Sequence, residues 1–121
     1  MITGSVSDRH ALLPVVFRIP DQPDFTIDFV VDTGFTGALA LPPSAIAALG
    51  LPYSGEQPAN LANDAEVELS LHAANLLWNG VETEVRVLAT GRRPLCDPSL
   101  LDGHELLVQY ADQGLVTVEP L

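Results

Sequence analysis

The sequence predicts an all-β fold, and three observations carry the prediction. Phe25, Ile27, Phe29 and Val31 alternate with Thr26, Asp28, Val30 and Asp32. Val67, Leu69 and Leu71 alternate in the same way with Glu66, Glu68 and Ser70. A period of two places one set of side chains on one face of a half-buried strand. The third observation is Asn79-Gly80, which separates Leu76-Leu77-Trp78 from the run Val81 to Leu88. Asn-Gly tolerates the positive φ angles of a two-residue hairpin turn.

The remaining elements follow in chain order. A short strand is expected near Ile2 to Val6 and a longer one from Ala11 to Ile19. Pro20-Asp21-Gln22-Pro23 reads as a surface loop before the Phe25 strand, and Tyr53 to Pro58 as a second loop. Pro43 stands where a first helical residue belongs, Ser44 to Leu49 supply two turns, and Gly50 stops them. Pro98 to Asp102, closed by Gly103, predicts one further helical turn. Asp112-Gln113-Gly114 then turns the chain between Leu106–Tyr110 and Leu115–Glu119. No linker, repeat or low-complexity tract interrupts the 121 residues, so one domain spanning 1–121 is expected.

Composition narrows the function. Hydrophobic residues make up 47% and charged residues 17%, enough apolar surface to offset chain entropy on folding. Five arginines, no lysine and sixteen acidic residues give a net charge of −11. Such a chain repels nucleic-acid backbones and anionic membranes, and neither is expected as a partner. The missing lysine excludes Schiff-base chemistry, a phosphate-loop lysine and a Ser-Lys dyad. Cys96 has no second cysteine to bridge to, and no Cys/His spacing suits zinc. No metal or other cofactor is expected. Met1 to His10 lacks a secretory pattern, and the Ala38 to Leu51 stretch is broken by Pro42, Pro43 and Gly50. A soluble, cytoplasmic protein is the expectation.

The chemistry concentrates in Phe29-Val30-Val31-Asp32-Thr33-Gly34-Phe35-Thr36-Gly37, where an apolar strand runs into an acid, a hydroxyl and two glycines. One carboxylate alone does little. Two within hydrogen-bonding range cannot both ionise, so they share a proton. One can then take a proton from water while the other donates to a carbonyl, which hydrolyses a peptide bond without a covalent intermediate.

This run resembles the retropepsin-like aspartic peptidases, in particular their small single-domain prokaryotic members. The likeness extends over nearly the whole chain. It takes in an early strand pair, Asp32-Thr33-Gly34, the segment Phe35 to Pro43, and a short helix followed by Ala48-Leu49-Gly50-Leu51-Pro52. Further on it takes in a flap-like hairpin at Leu61-Ala62-Asn63-Asp64-Ala65, then Trp78-Asn79-Gly80 and Leu100-Leu101. The resemblance implies an acid-protease barrel with one or two short helices, one lobe per chain. It implies Asp32 as the catalytic acid, Thr33 as the grip residue bonding to the partner's loop, and Gly34 as the close-approach glycine. Phe35, Asn63, Asp64 and Ala65 are the implied substrate-binding residues. The chain holds one such motif, so a pair requires a homodimer with a two-fold axis, acting on a peptide or protein. In the family, terminal strands knit the dimer; Met1 to Val6 and Leu115 to Leu121 are their counterparts.

Two positions depart from the family pattern. Leu95-Cys96-Asp97-Pro98 carries Asp97 where a glycine belongs, implying either a left-handed backbone there or a third carboxylate near the pair. The flap tip reads Asn63-Asp64 where an acid-glycine pair is expected. These departures leave open a catalytically weak or inactive retropepsin-fold dimerisation or peptide-binding module. A third alternative is an unrelated small β domain in which Asp32 only closes a turn before Gly34. His10, His72 and His104 read as surface or half-buried rings, Cys96 and Trp78 as core, and Asp28 as a solvated edge acid. Glu66/Glu68 and Glu82/Glu84 read as solvent-facing pairs.

Overall fold

Backbone hydrogen bonding joins the alternating segments into one connected system of strands. The computed structural model describes residues 1–34, 39–60 and 63–121. Their order is β1 (Ile2–Ser7), β2 (His10–Arg18), β3 (Phe25–Val31), β4 (Leu39–Leu41), α1 (Pro43–Leu49) and β5 (Tyr53–Asn60). There follow β6 (Glu66–Trp78), β7 (Val81–Ala89), β8 (Leu95–Cys96), α2 (Pro98–Leu101), β9 (His104–Val108) and β10 (Leu115–Pro120). The fold is all-β with two short helices.

β2 organises the sheet because it is long enough to serve three partners. One edge pairs with β3 from Leu12 to Phe17. The other takes β1 at His10 to Leu12 and β6 at Val16 to Arg18. Pairing therefore runs in a closed circuit, β2-β3-β8-β4-β7-β6 and back to β2, with β1, β10 and β9 continuing outward. β8 lies parallel to β3 and antiparallel to β4, which wedges two residues between two strands. Inside lie Leu13, Val15, Phe17, Phe29, Leu39, Leu41, Leu76 and Val87, all essentially inaccessible. Phe17 stacks on Phe25 and Phe29 with ring centroids 5.7 and 5.9 Å apart. Each fully buried side chain of this size contributes roughly 1.5–3 kcal/mol through lost water contact.

Local chemistry explains the element ends. Pro43 opens α1, where a missing N–H costs nothing, and Gly50 closes it at φ 67°. A helix of seven residues is not stable alone; Ile46, buried in the core, holds it. Asn79 and Gly80 adopt φ 51° and 82°, the two positive angles of the predicted hairpin turn. Gly4 serves a close approach: a Cβ there would come 1.8 Å from the Leu12 carbonyl oxygen.

The structure corrects one expectation. Tyr53 to Pro58 is not a loop but most of strand β5, paired with β6 from Tyr53↔His72 to Asn60↔Glu66. Pro58 lacks an amide donor, and β5 accommodates it as an edge strand bonded on one side only. The terminal strands pair with each other within the chain: Ile2 to Ser5 bond to Leu115 to Val118, and the far edge of β10 bonds to β9. Ile2 to Ser5 thereby take a partner inside the chain, with β2 on the other edge of β1 from Ser5 to Ser7.

Candidate active site

Asp32 is placed by the strand that precedes it and by β8 beside it. Val30 and Val31 pair with Leu95 and Cys96, and the next amide, Asp32 N–H, donates to the Cys96 carbonyl at 3.0 Å. The carboxylate turns back to accept from the Gly34 amide at 3.0 Å on Oδ1. This is an Asx turn, the geometry of the plainer alternative, and it also fixes the acid's orientation at the strand end. The side chain is half-buried, while Thr33 and Gly34 are exposed. Among the described residues a Cβ at Gly34 would meet only Asp32 Oδ1, at an ordinary 3.5 Å.

Two clefts flank this turn. One, of about 500 Å³, contains Asp32 together with Arg9, His10, Arg93 and Tyr110. Arg93 Nη1 donates to His10 Nε2 at 2.9 Å. A guanidinium only donates, so the imidazole proton resides on Nδ1. The other cleft, also about 500 Å³, reaches from Gly34 and Leu95 to the β5–β6 hairpin, where Gln57, Asn60 and Leu69 line it. No charged side chain borders that cleft among the described residues. Both volumes fall in the range of small-ligand sites.

The β5–β6 hairpin is the flap-like element of the sequence. Its tip closes through Asn63 Oδ1, which accepts from the Ala65 amide at 3.1 Å, with Asp64 at φ 62°. Asn63, Asp64 and Ala65 are exposed. The cleft is bordered by the hairpin arms, at Gln57 to Asn60 and Leu69, rather than by these three tip residues. Phe35 lies outside the described residues, as do Leu61 and Ala62.

Asp97 is not left-handed: its φ of −87° and ψ of 152° are extended. It is the N-cap of α2, its Oδ1 accepting from the Ser99 amide at 3.1 Å and its Oδ2 from the Ser99 hydroxyl at 3.2 Å. Asp97 thus caps a helix directly after Cys96, whose carbonyl anchors the Asp32 amide. It is also the one buried charged or polar side chain among the described residues. Burial pushes the neighbouring Cys96 thiol up to about 12, with a smaller contribution from the Asp97 charge.

The histidines have structural partners. His72 Nδ1 donates to the Leu51 carbonyl at 2.9 Å, and the His104 ring meets Trp78 edge-on at 5.9 Å. Cys96 and Trp78 are core residues and Asp28 is exposed. Among the described residues no group of three or more His, Cys, Asp or Glu side chains could hold a metal ion, and no helix is long and apolar enough to cross a membrane. The arginines at the Asp32 cleft could not be anticipated, because Arg9 and Arg93 are distant in sequence and meet only through the sheet. No family model, curated protein or solved structure matches the chain.

Proposed function

We propose that the protein is a homodimeric aspartic endopeptidase that hydrolyses peptide bonds with water activated between two Asp32 carboxyl groups. The observation that carries this reading is the placement of Asp32: half-buried at the end of β3, anchored through Cys96 and Gly34, and opening on a cleft. The strand circuit around it is read as a retropepsin-like barrel, and the β5–β6 hairpin as its flap. A second chain across a two-fold axis supplies the second acid. The pair holds one proton; the ionised member accepts a proton from water as that water attacks, and the protonated member donates to the scissile carbonyl oxygen. Gly34, where a Cβ would meet only Asp32 Oδ1 among the described residues, leaves room for an approaching neighbour. The uncharged cleft under the hairpin, with Leu69, Leu88 and Leu95 beside Gln57 and Asn60, suits an apolar substrate side chain flanked by peptide backbone.

Mass-spectrometric analysis of a diverse peptide mixture tests the reading. Internal cleavage by the wild type, lost in Asp32→Asn, supports it. A folded dimer that cuts nothing removes it. The second reading, a non-catalytic peptide-binding module, is favoured by the hairpin tip, where Asn63-Asp64 closes on its own Asx turn without a glycine. That reading expects peptides to bind without being cut.

A further inference from the structure

The surface around Asp32 carries both basic and acidic side chains. Two of the chain's five arginines, Arg9 and Arg93, border the Asp32 cleft with His10 and Tyr110. A contiguous cleft of about 560 Å³ shares Arg9 and Tyr110 and adds Asp8 and Asp112. Basic and acidic groups therefore lie side by side on one face, with Tyr110 75% exposed. Among the described residues Asp8, Arg9 and Asp112 form no ion pair, whereas Arg18 and Arg86 are both paired with acids.

Backbone strain marks the same place. Asp8 and Arg9 form the tight β1–β2 turn at φ 50° and 65°. Asn79-Gly80 makes the equivalent turn with a glycine in the second position. An arginine there is disfavoured sterically and is tolerated where its side chain has a use.

We infer that the face formed by Asp8, Arg9, Arg93, Tyr110 and Asp112 is a self-complementary surface for a second copy of this chain. An isologous two-fold contact needs a patch whose two halves complement each other, and adjacent acid and base meet that need. In such a contact the basic half of each copy faces the acidic half of the other. Tyr110 supplies the large, rigid, amphipathic side chain that interfaces favour. The repulsion between two chains of −11 is spread over their surfaces and screened beyond about 8 Å at physiological salt, while the close pairs across the contact are screened less. The inference rests on the proposed function only in expecting a two-fold near Asp32, and its readout is association, not cleavage.

Sedimentation of the full chain tests it. The wild type is expected to dimerise. Arg9→Gly, which relieves the turn and so cannot act by unfolding, should weaken the dimer at least about tenfold, since two symmetric contacts are lost. Arg9→Glu with Arg93→Glu, and separately Asp8→Arg with Asp112→Arg, should each give monomers. Mixing those two chains should restore a dimer, because the all-acidic face then meets the all-basic one. A wild type that stays monomeric, reversal variants that dimerise like the wild type, or a mixture that remains monomeric would each overturn the assignment. A wild-type dimer without peptidase activity would leave it standing and remove the proposed function.

Discussion

Raising the pH above 9 should destabilise this protein through one buried thiol. Cys96 is fully inaccessible in β8, and burial, aided by the Asp97 charge, moves its pKa from 9.0 to about 12. The unfolded chain releases that proton near the ordinary value while the folded chain keeps it, so the folded state binds more protons throughout the interval. Stability is then fully present below pH 9 and falls as pH rises, at about 1.4 kcal/mol per pH unit. Between about pH 9 and about pH 11 the loss is about 3 kcal/mol, a large part of the 5–15 kcal/mol typical of a domain. The chain is suited to the measurement because it has no lysine, and its tyrosines, Tyr53 and Tyr110, are solvent-facing. Urea unfolding under reductant, run at several pH values for the wild type and Cys96→Ala, isolates the contribution. The wild-type curve should fall away from the variant's above pH 9, although the variant starts lower for its lost packing. Parallel curves would refute the account of Cys96 and of the dry setting that anchors Asp32.

Three further outcomes follow from named contacts. Asp97→Ala removes the cap of α2 and should cost at least about 1 kcal/mol in denaturant unfolding, whereas Asp97→Asn, which keeps the acceptor for the Ser99 amide, should retain most of it. Gly4→Ala drives a methyl group against the Leu12 carbonyl oxygen and should cost about 2–3 kcal/mol as β1 moves off β2. Peptides with a leucine-sized side chain near the cut should be preferred over lysine or arginine ones in competition assays, because the cleft bordered by Leu69, Leu88 and Leu95 carries no charge. A preference for basic residues would instead assign recognition to the exposed Glu66/Glu68 and Glu82/Glu84 pairs.

The sequence was most informative where chain-local physics decides the outcome. Alternation at Phe25 to Val31 produced β3, Pro43 and Gly50 bounded α1, and Asn79-Gly80 turned β6 into β7. Strand β5 escaped notice because Ser54, Gly55, Gln57 and Pro58 have little intrinsic β preference; its order comes from pairing along the first half of β6. The interruption of alternation at His72-Ala73-Ala74 hid the continuity of β6, which changes partner there from β5 to β7. Leu95-Cys96 is too short for any periodicity, yet this two-residue strand fixes Asp32. The proposed functional acid was singled out from Asp32-Thr33-Gly34. Its surroundings were not, because Arg9, Arg93 and Tyr110 converge through three separate strand connections, and the capping role of Asp97 depends on a backbone angle rather than on residue type.

The most direct test mixes wild-type chains with Asp32→Asn chains at constant total concentration and follows peptide cleavage. The substitution keeps the Oδ1 acceptor for the Gly34 amide, so folding and assembly should be unaffected. If each active unit needs an Asp32 from both subunits, an equal mixture retains about one quarter of the wild-type rate, since only dimers with two intact chains work. Retention of about one half would mean that each chain acts alone, and would contradict the paired-carboxylate account.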